Sequence, residues 1–264
     1  MLTVLLLAQI AGAPLQVVNA AVERRQLERP LAAEIPALLA NRGPAWIGYQ
    51  VPIARGWHQA CVSDGRPQSP VLLEPPDRLS ILIRVEDGSV GQLRTVTPDC
   101  SVDGGGLPFI WLDGVTSSDS AAWLSTLIAA RPAAYPLPDR IVQTAIGALA
   151  FHAEPPALDR VIRLARDDRR AAVRASALFW LSMRAGEQAV AAIASAVDAD
   201  PEIEVKKKAV FALSRLPKQE GVPLLIQIAR SNPHREVRKQ AMFWLGQSND
   251  PRALAFFEEV LTRR

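Results

Sequence analysis

Residues able to do chemistry are few in this chain, and they are scattered. Its three histidines, His58, His152 and His234, stand in separate segments, and neither cysteine, Cys61 or Cys100, has a second ligand at zinc-like spacing. A structural metal site of the Cys/His type is thereby excluded. His58 and Cys61 are three residues apart and could pose as an imidazole–thiol pair, but no third group is placed to orient the ring. Asp99 and Asp103 flank Cys100 and could offer oxygens to calcium, without a third fixed ligand to complete the shell. Asp103-Gly104-Gly105-Gly106 could cradle an anion with its amides. No Gly-Lys-Ser/Thr follows and no helix opens at once, so a loop needing positive φ is the better reading. Neither a Gly-x-Ser-x-Gly elbow nor a His-Glu-x-x-His pair occurs. The expectation is a protein that is not an enzyme and carries no metal or cofactor.

Binding chemistry is better represented. Arg174, Lys206 and Arg238 recur at a spacing of 32, and Trp180 and Trp244 stand 64 apart in a series that reads Ala148, Trp180, Ala212, Trp244. Two readings apply to each set. The bases either pair with turn carboxylates such as Asp168 and Asp200 and with helix ends, or form a basic ladder fit for an acidic partner. The tryptophans either interdigitate between stacked units or reach a concave face as anchors for a partner.

What must position these side chains is a repeat. The windows Ile141–Leu149, Val173–Leu181, Val205–Leu213 and Val237–Leu245 align with a β-branched residue, an alanine and a leucine recurring every 32 residues. A second register holds between them: Leu158, Val190, Val222, Leu254, and Val161, Ile193, Leu225, Phe257. Apolar positions at i, i+4, i+7 and i+8, as in Val237, Ala241, Trp244 and Leu245, share one helical face and do not alternate with period two. Asp168, Asp200 and Asn232 stand five residues before each Val, with Pro201 and Pro233 after the last two. That predicts an N-cap followed by proline. Two amphipathic helices per unit cannot bury their apolar sides alone, so units must stack into an α-solenoid.

The pattern V-[RK]-x-x-A-x-x-x-L after an Asp/Asn-Pro turn resembles the short HEAT-like repeats of bacterial proteins, the type also met in phycobilin lyases. The resemblance covers about residues 138–264 and implies architecture rather than activity. The first unit departs from it, with Gln143 and Thr144 and no base after Ile141, and reads as a capping or transitional repeat.

The remainder of the chain reads differently. Residues 1–13 are a short apolar run closing on small residues, signal-peptide-like and too short to span a bilayer, with cleavage expected between residues 11 and 20. Export to the periplasm or beyond, without stable membrane insertion after processing, is the expectation. Two cysteines in an exported protein most simply form one disulfide, Cys61 to Cys100; two buried thiols are the alternative. Residues 15–116 read as a small α+β module on an antiparallel sheet. They comprise a strand or helix over 15–25, a helix over 31–40, a strand over 45–53 placed at an edge by Pro52, a hairpin over 78–86 and 90–96, and a strand over 109–112. A joining helix over 118–130, capped by Ser118 or Asp119, and a Pro-rich linker complete residues 117–137. Trp46-Ile47-Gly48-Tyr49, Asp99-Cys100 and Gly104-Gly105 in that order resemble an N-terminal module of exported bacterial proteins, and the resemblance implies no activity.

Charge follows the same division. Ten bases face twelve acids in residues 1–131, twenty face fifteen in 132–264, and all five lysines lie in the repeats. So small an excess suits a solvated face better than a nucleic-acid groove. The sequence therefore predicts a non-catalytic exported scaffold whose solenoid binds another protein or peptide. Arg174, Lys206, Arg238, Trp180 and Trp244 are the candidate contacts. Two alternatives stand beside it: a chromophore-handling protein like the phycobilin lyases, and a cytosolic nucleic-acid binder using the basic ladder.

Overall fold

The computed structural model describes residues 15–40, 43–54, 62–63, 66–67, 77–130, 140–184 and 186–262. The signal-peptide-like segment, His58, Cys61 and the Pro-rich linker lie outside the described residues. The chain divides into two compact units, Met1–Ser120 and Ala121–Arg264.

In the first unit, β1 (Gln16–Val18) and β2 (Val22–Gln26) are separated by a break at Asn19, whose φ is 51°. Helix α1 (Leu31–Ala40) buries Leu31, Ile35 and Leu38 on one side, as their spacing predicts. β3 (Ala45–Pro52) follows, then the short antiparallel pair β4 (Val62–Ser63) and β5 (Arg66–Pro67). β6 (Arg78–Glu86) and β7 (Ser89–Val96) form the expected hairpin. Its two-residue turn, Asp87-Gly88, has φ of 46° and 69°, the positive pair that matches the right-handed twist of the strands. β8 (Ser101–Asp103) pairs in parallel with β1, and β9 (Phe109–Asp113) in parallel with both β2 and β3.

The main sheet runs β2-β9-β3-β6-β7, and two expectations are corrected by it. It is mixed rather than antiparallel, because β9 enters parallel to both neighbours. β3 is interior rather than an edge. Pro52 is tolerated there because the Ile53 amide donates to Asp77, 2.9 Å, so the alternating Pro52 nitrogen points away from β6. On that side β9 has already ended, since it pairs only with Trp46–Gly48. Gly48 is fixed by packing: a Cβ there would lie 2.8 Å from the Phe109 ring and 2.9 Å from Trp111. On the other face of β3 the buried Tyr49 hydroxyl lies 3.0 Å from that of Ser120, and burial pushes the phenol's pKa up.

The glycine loop is structural. Gly105 and Gly106 take φ of 65° and 75°, the Gly104 and Gly106 amides donate to Val18 and Asn19, and the Gly105 amide donates to the Asp103 carboxylate. Its amides are committed within the loop and the neighbouring strand connection. Helix α2 (Ser117–Ala130) begins at a different cap from the one expected: Thr116 accepts from the Asp119 amide, 3.1 Å, and donates back to its carboxylate, 2.6 Å.

The second unit is a HEAT-like α-solenoid. Its helices are α3 (Arg140–Phe151), α4 (Pro155–Asp167), α5 (Ala171–Ser182), α6 (Glu187–Ala199), α7 (Ile203–Arg215), α8 (Lys218–Ser231), α9 (Arg235–Gly246) and α10 (Pro251–Thr262). α3, α5, α7 and α9 lie side by side in one layer, and α4, α6 and α8 pack against both the helix before and the helix after each. Ala145, Ala177, Ala209 and Ala241 occupy matching, fully buried places on the four helices of the first layer. Alanine recurs there because adjacent helices approach too closely for a larger side chain.

The turns correct a further expectation. Asp168, Asp200 and Asn232 are C-caps of the preceding helices rather than N-caps of the following ones. Their side chains accept the amides of Arg170, Glu202 and His234 two residues on, at 2.9 to 3.0 Å, closing Asx turns that aim the next helix. Pro201 and Pro233 sit inside these turns, ahead of the helices. In the last unit the second register slips: Phe256 is buried, Phe257 is half-buried and Leu254 is exposed.

Candidate functional site: an aromatic and basic face on the repeats

Arg174, Lys206 and Arg238 are brought into line on α5, α7 and α9, but the first two are buried. Arg174 forms a bidentate bridge to Asp200, 2.7 and 3.0 Å, and donates to the Asp168 carbonyl at 2.9 Å. Lys206 donates to the carbonyls of Val197 and Asp198 at the end of α6. Arg238, half-buried, donates to those of Asn232 and Pro233. Each base satisfies carbonyls left open where the preceding helix ends, and its charge complements the negative end of the dipole. The solvent-facing basic ladder is thus corrected for Arg174 and Lys206, whose donors point inward.

The tryptophans are half-buried, in grooves between neighbouring helices. Trp180 lies over Gly147, where an added Cβ would approach the indole to 2.7 Å, and meets Phe151 edge-on with centroids 5.8 Å apart. Trp244 lies against Phe211, 5.0 Å between centroids. The alternation of small and large residues is therefore interdigitation: a tryptophan occupies the α3/α5 and α7/α9 grooves, and Ala212 occupies the α5/α7 groove. In that groove Phe179 and Phe211 stack with centroids 6.4 Å apart and planes 4° from parallel. The indole nitrogen of Trp244 is buried and finds no hydrogen-bond partner among the described residues.

Phenylalanine at 179, 211 and 243 is the feature that sequence reading missed. The three follow Gly147 at the same spacing of 32, one residue before the tryptophan series. Phe179 is 37% exposed and Phe243 54%, where a ring gains nothing from a core. The signal is present in the windows as the pairs Phe179-Trp180, Phe211-Ala212 and Phe243-Trp244, in which the second member varies between small and large and the phenylalanine does not.

Around this row the outward residues follow the helix period. On α5 they are Ala172, Ala175, Ser176 and Met183, all uncharged. On α7 they are Glu204, Lys207, Lys208 and Arg215; on α9, Glu236, Lys239, Gln240 and Gln247. Lys207 is paired with Glu204 at 2.9 Å, and among the described residues Arg215 reaches only the Met183 sulfur, 3.9 Å. Lys208 and Lys239 are exposed and make no ion pair among the described residues. Among α7, α8 and α9 the surface opens into a cleft of about 380 Å³ lined in part by Phe211, Arg215, Lys218, Trp244 and Gln247.

No group of three or more His, Cys, Asp or Glu able to hold a metal ion occurs among the described residues. No helix among them is long and apolar enough to cross a membrane. Cys100 is buried, and its expected partner Cys61 lies outside the described residues.

The family of HEAT repeats matches residues 187–264. No curated protein matches the sequence. Among solved structures, the repeats are similar to the complex of CpcE and CpcF of phycocyanin lyase from a Nostoc species. That likeness has 19% identity and a TM-score of 0.40, and covers 54% of this chain and 91% of that one. Human deoxyhypusine hydroxylase is similar at 19% identity and a TM-score of 0.37, covering 48% of this chain and 43% of that one. The S. pombe condensin Cnd3-Cnd2 subcomplex is similar at 19% identity and a TM-score of 0.36, covering 55% and 21%. Likeness at this level says nothing of activity.

Proposed function

We propose that this protein is a non-catalytic scaffold whose HEAT-like solenoid binds another protein or peptide across the outward face of α5, α7 and α9. The observation that carries this reading is the row Phe179, Phe211 and Phe243 on successive helices, exposed at both ends and half-buried at Phe211, and backed by Trp180 and Trp244. Rigid aromatic anchors lose little entropy on binding and dominate interface energetics, so such a row suits a partner. The polar groups of this face show no convergent acid, base and nucleophile.

The scaffold is proposed to work outside the cytoplasm, after removal of a signal peptide at residues 1–13 and with a disulfide between Cys61 and Cys100. Intact mass of the protein recovered from its host, with and without reductant, tests both features together. A mature chain starting between residues 12 and 21 that gains two hydrogens on reduction is expected. An uncleaved chain, or one unchanged by reductant, refutes the corresponding part.

The binding role is tested by cross-linking the full chain in an envelope extract, then repeating with Phe179→Ser and Phe243→Ser combined. Recovery of a protein partner whose affinity falls at least about tenfold in the double variant is expected. Turnover of a small molecule without any protein partner would sink the reading.

A further inference from the structure

The chemistry of the face changes along the solenoid, and this specifies the partner more closely than a scaffold alone does. Over α5 it is uncharged, with Phe179 and Met183 exposed. Over α7 and α9 the phenylalanine row continues, but Lys208, Lys239 and Arg215 stand beside it without ion-pair partners among the described residues. Glu204 is held by Lys207, and Glu236 is exposed on α9, so Lys208, Lys239 and Arg215 leave this end with an excess of bases. At that end Arg215 and Lys218 both line the cleft bounded by α7, α8 and α9.

We infer that the occupant of this face is a segment of a partner protein with apolar side chains at one end and acidic side chains at the other. Its apolar end lies over α5 and its acidic end over α7 and α9. The inference rests on the scaffold reading and deepens it by naming the partner's chemistry. Charge complementarity sets the register, because the outward residues of α5 carry no cation and Arg215 reaches that part of the face only at Met183, whereas over α7 and α9 a carboxylate meets Lys208 and Lys239 as well. A nucleic-acid strand fits less well. It carries a phosphate at every residue, while α5 itself contributes no outward cation to its third of the face.

The test is a display selection of random twelve-residue peptides on the full chain, with Phe179→Ser/Phe243→Ser as the counter-selected protein. Enrichment of peptides pairing an apolar block with an acidic block is expected. The affinity of a chosen peptide should fall about tenfold in Lys208→Glu/Lys239→Glu, and equally when its own Glu residues become Gln. Enrichment of neutral or basic peptides, or indifference to the lysine reversals, overturns the charge assignment and leaves the scaffold reading standing. Failure to enrich any peptide over the counter-selected protein overturns both. Saturable binding of an oligothymidylate, lost in the lysine variant while no acidic peptide binds, overturns the inference in favour of a nucleic acid.

Discussion

At the scale of residues, the bases that recur most regularly are those least available to a partner. Arg174 and Asp200 face each other across consecutive repeats with side chains 7% and 3% exposed. Removing the carboxylate strands a guanidinium in the interior, so Asp200→Ala is expected to cost about 3 kcal/mol, read as a lowered urea midpoint. Lys206→Met should cost only about 1 kcal/mol, because it removes the buried charge along with its contacts to α6. A second test uses His152, fully buried with Nδ1 2.6 Å from the Ala148 carbonyl. Desolvation lowers its pKa against the opposing effect of that hydrogen bond. A depressed folded value means its contribution to stability is complete above the unfolded value near 6.5 and is lost as pH falls below it. Urea midpoints measured between pH 7.5 and 5 should decline in the wild type and decline less steeply in His152→Gln. Equal slopes would show that His152 contributes nothing to the decline. Asp250, whose carboxylate accepts hydrogen bonds from the Arg252 side chain and amide, is held down to about 2.

At the scale of elements, neighbouring helices are fitted to one another by pairs of residues 33 apart. Gly147 sits in the middle of α3, where glycine ordinarily costs about 1 kcal/mol relative to alanine. It is there because the Trp180 indole lies where a Cβ would go. Gly147→Ala should therefore destabilise the solenoid by about 1 kcal/mol, the overpacking outweighing the propensity gain. In a Trp180→Ala background the same substitution should stabilise by a similar amount. A double-mutant cycle on thermal or urea unfolding that shows no change of sign would show that the two residues are not coupled. The turns make a related point. Asx residues at the C-caps accept the amide two residues ahead in all three turns, so the same local closure precedes each following helix. A helix N-cap and this turn draw on the same residue types, which is why sequence spacing alone assigned them to the wrong helix.

At the scale of the whole molecule, what was legible from the chain was periodicity, and what was not was the direction each side chain takes. The 32-residue recurrence of a β-branched residue, alanine and leucine determined the HEAT-like stack, because only stacking can bury such faces. The same reading found the β6–β7 hairpin, whose Asp-Gly turn is a local signal. It missed that β9 runs parallel to β2 and β3, since strand order is decided by contacts between residues far apart in sequence. The candidate site divides in the same way. Arg174, Lys206, Arg238, Trp180 and Trp244 were identified by their recurrence. Recurrence is shared by core and surface, however, so it could not tell that two of the bases turn inward or that Phe179 and Phe243 turn outward. Helical phase relative to the neighbouring helices decides that, and phase is fixed only when the layers pack. The sequence by itself determined that two-helix units repeat and must stack; the tertiary structure alone decided which side of each unit is left facing solvent, because that follows from how neighbouring helices pack.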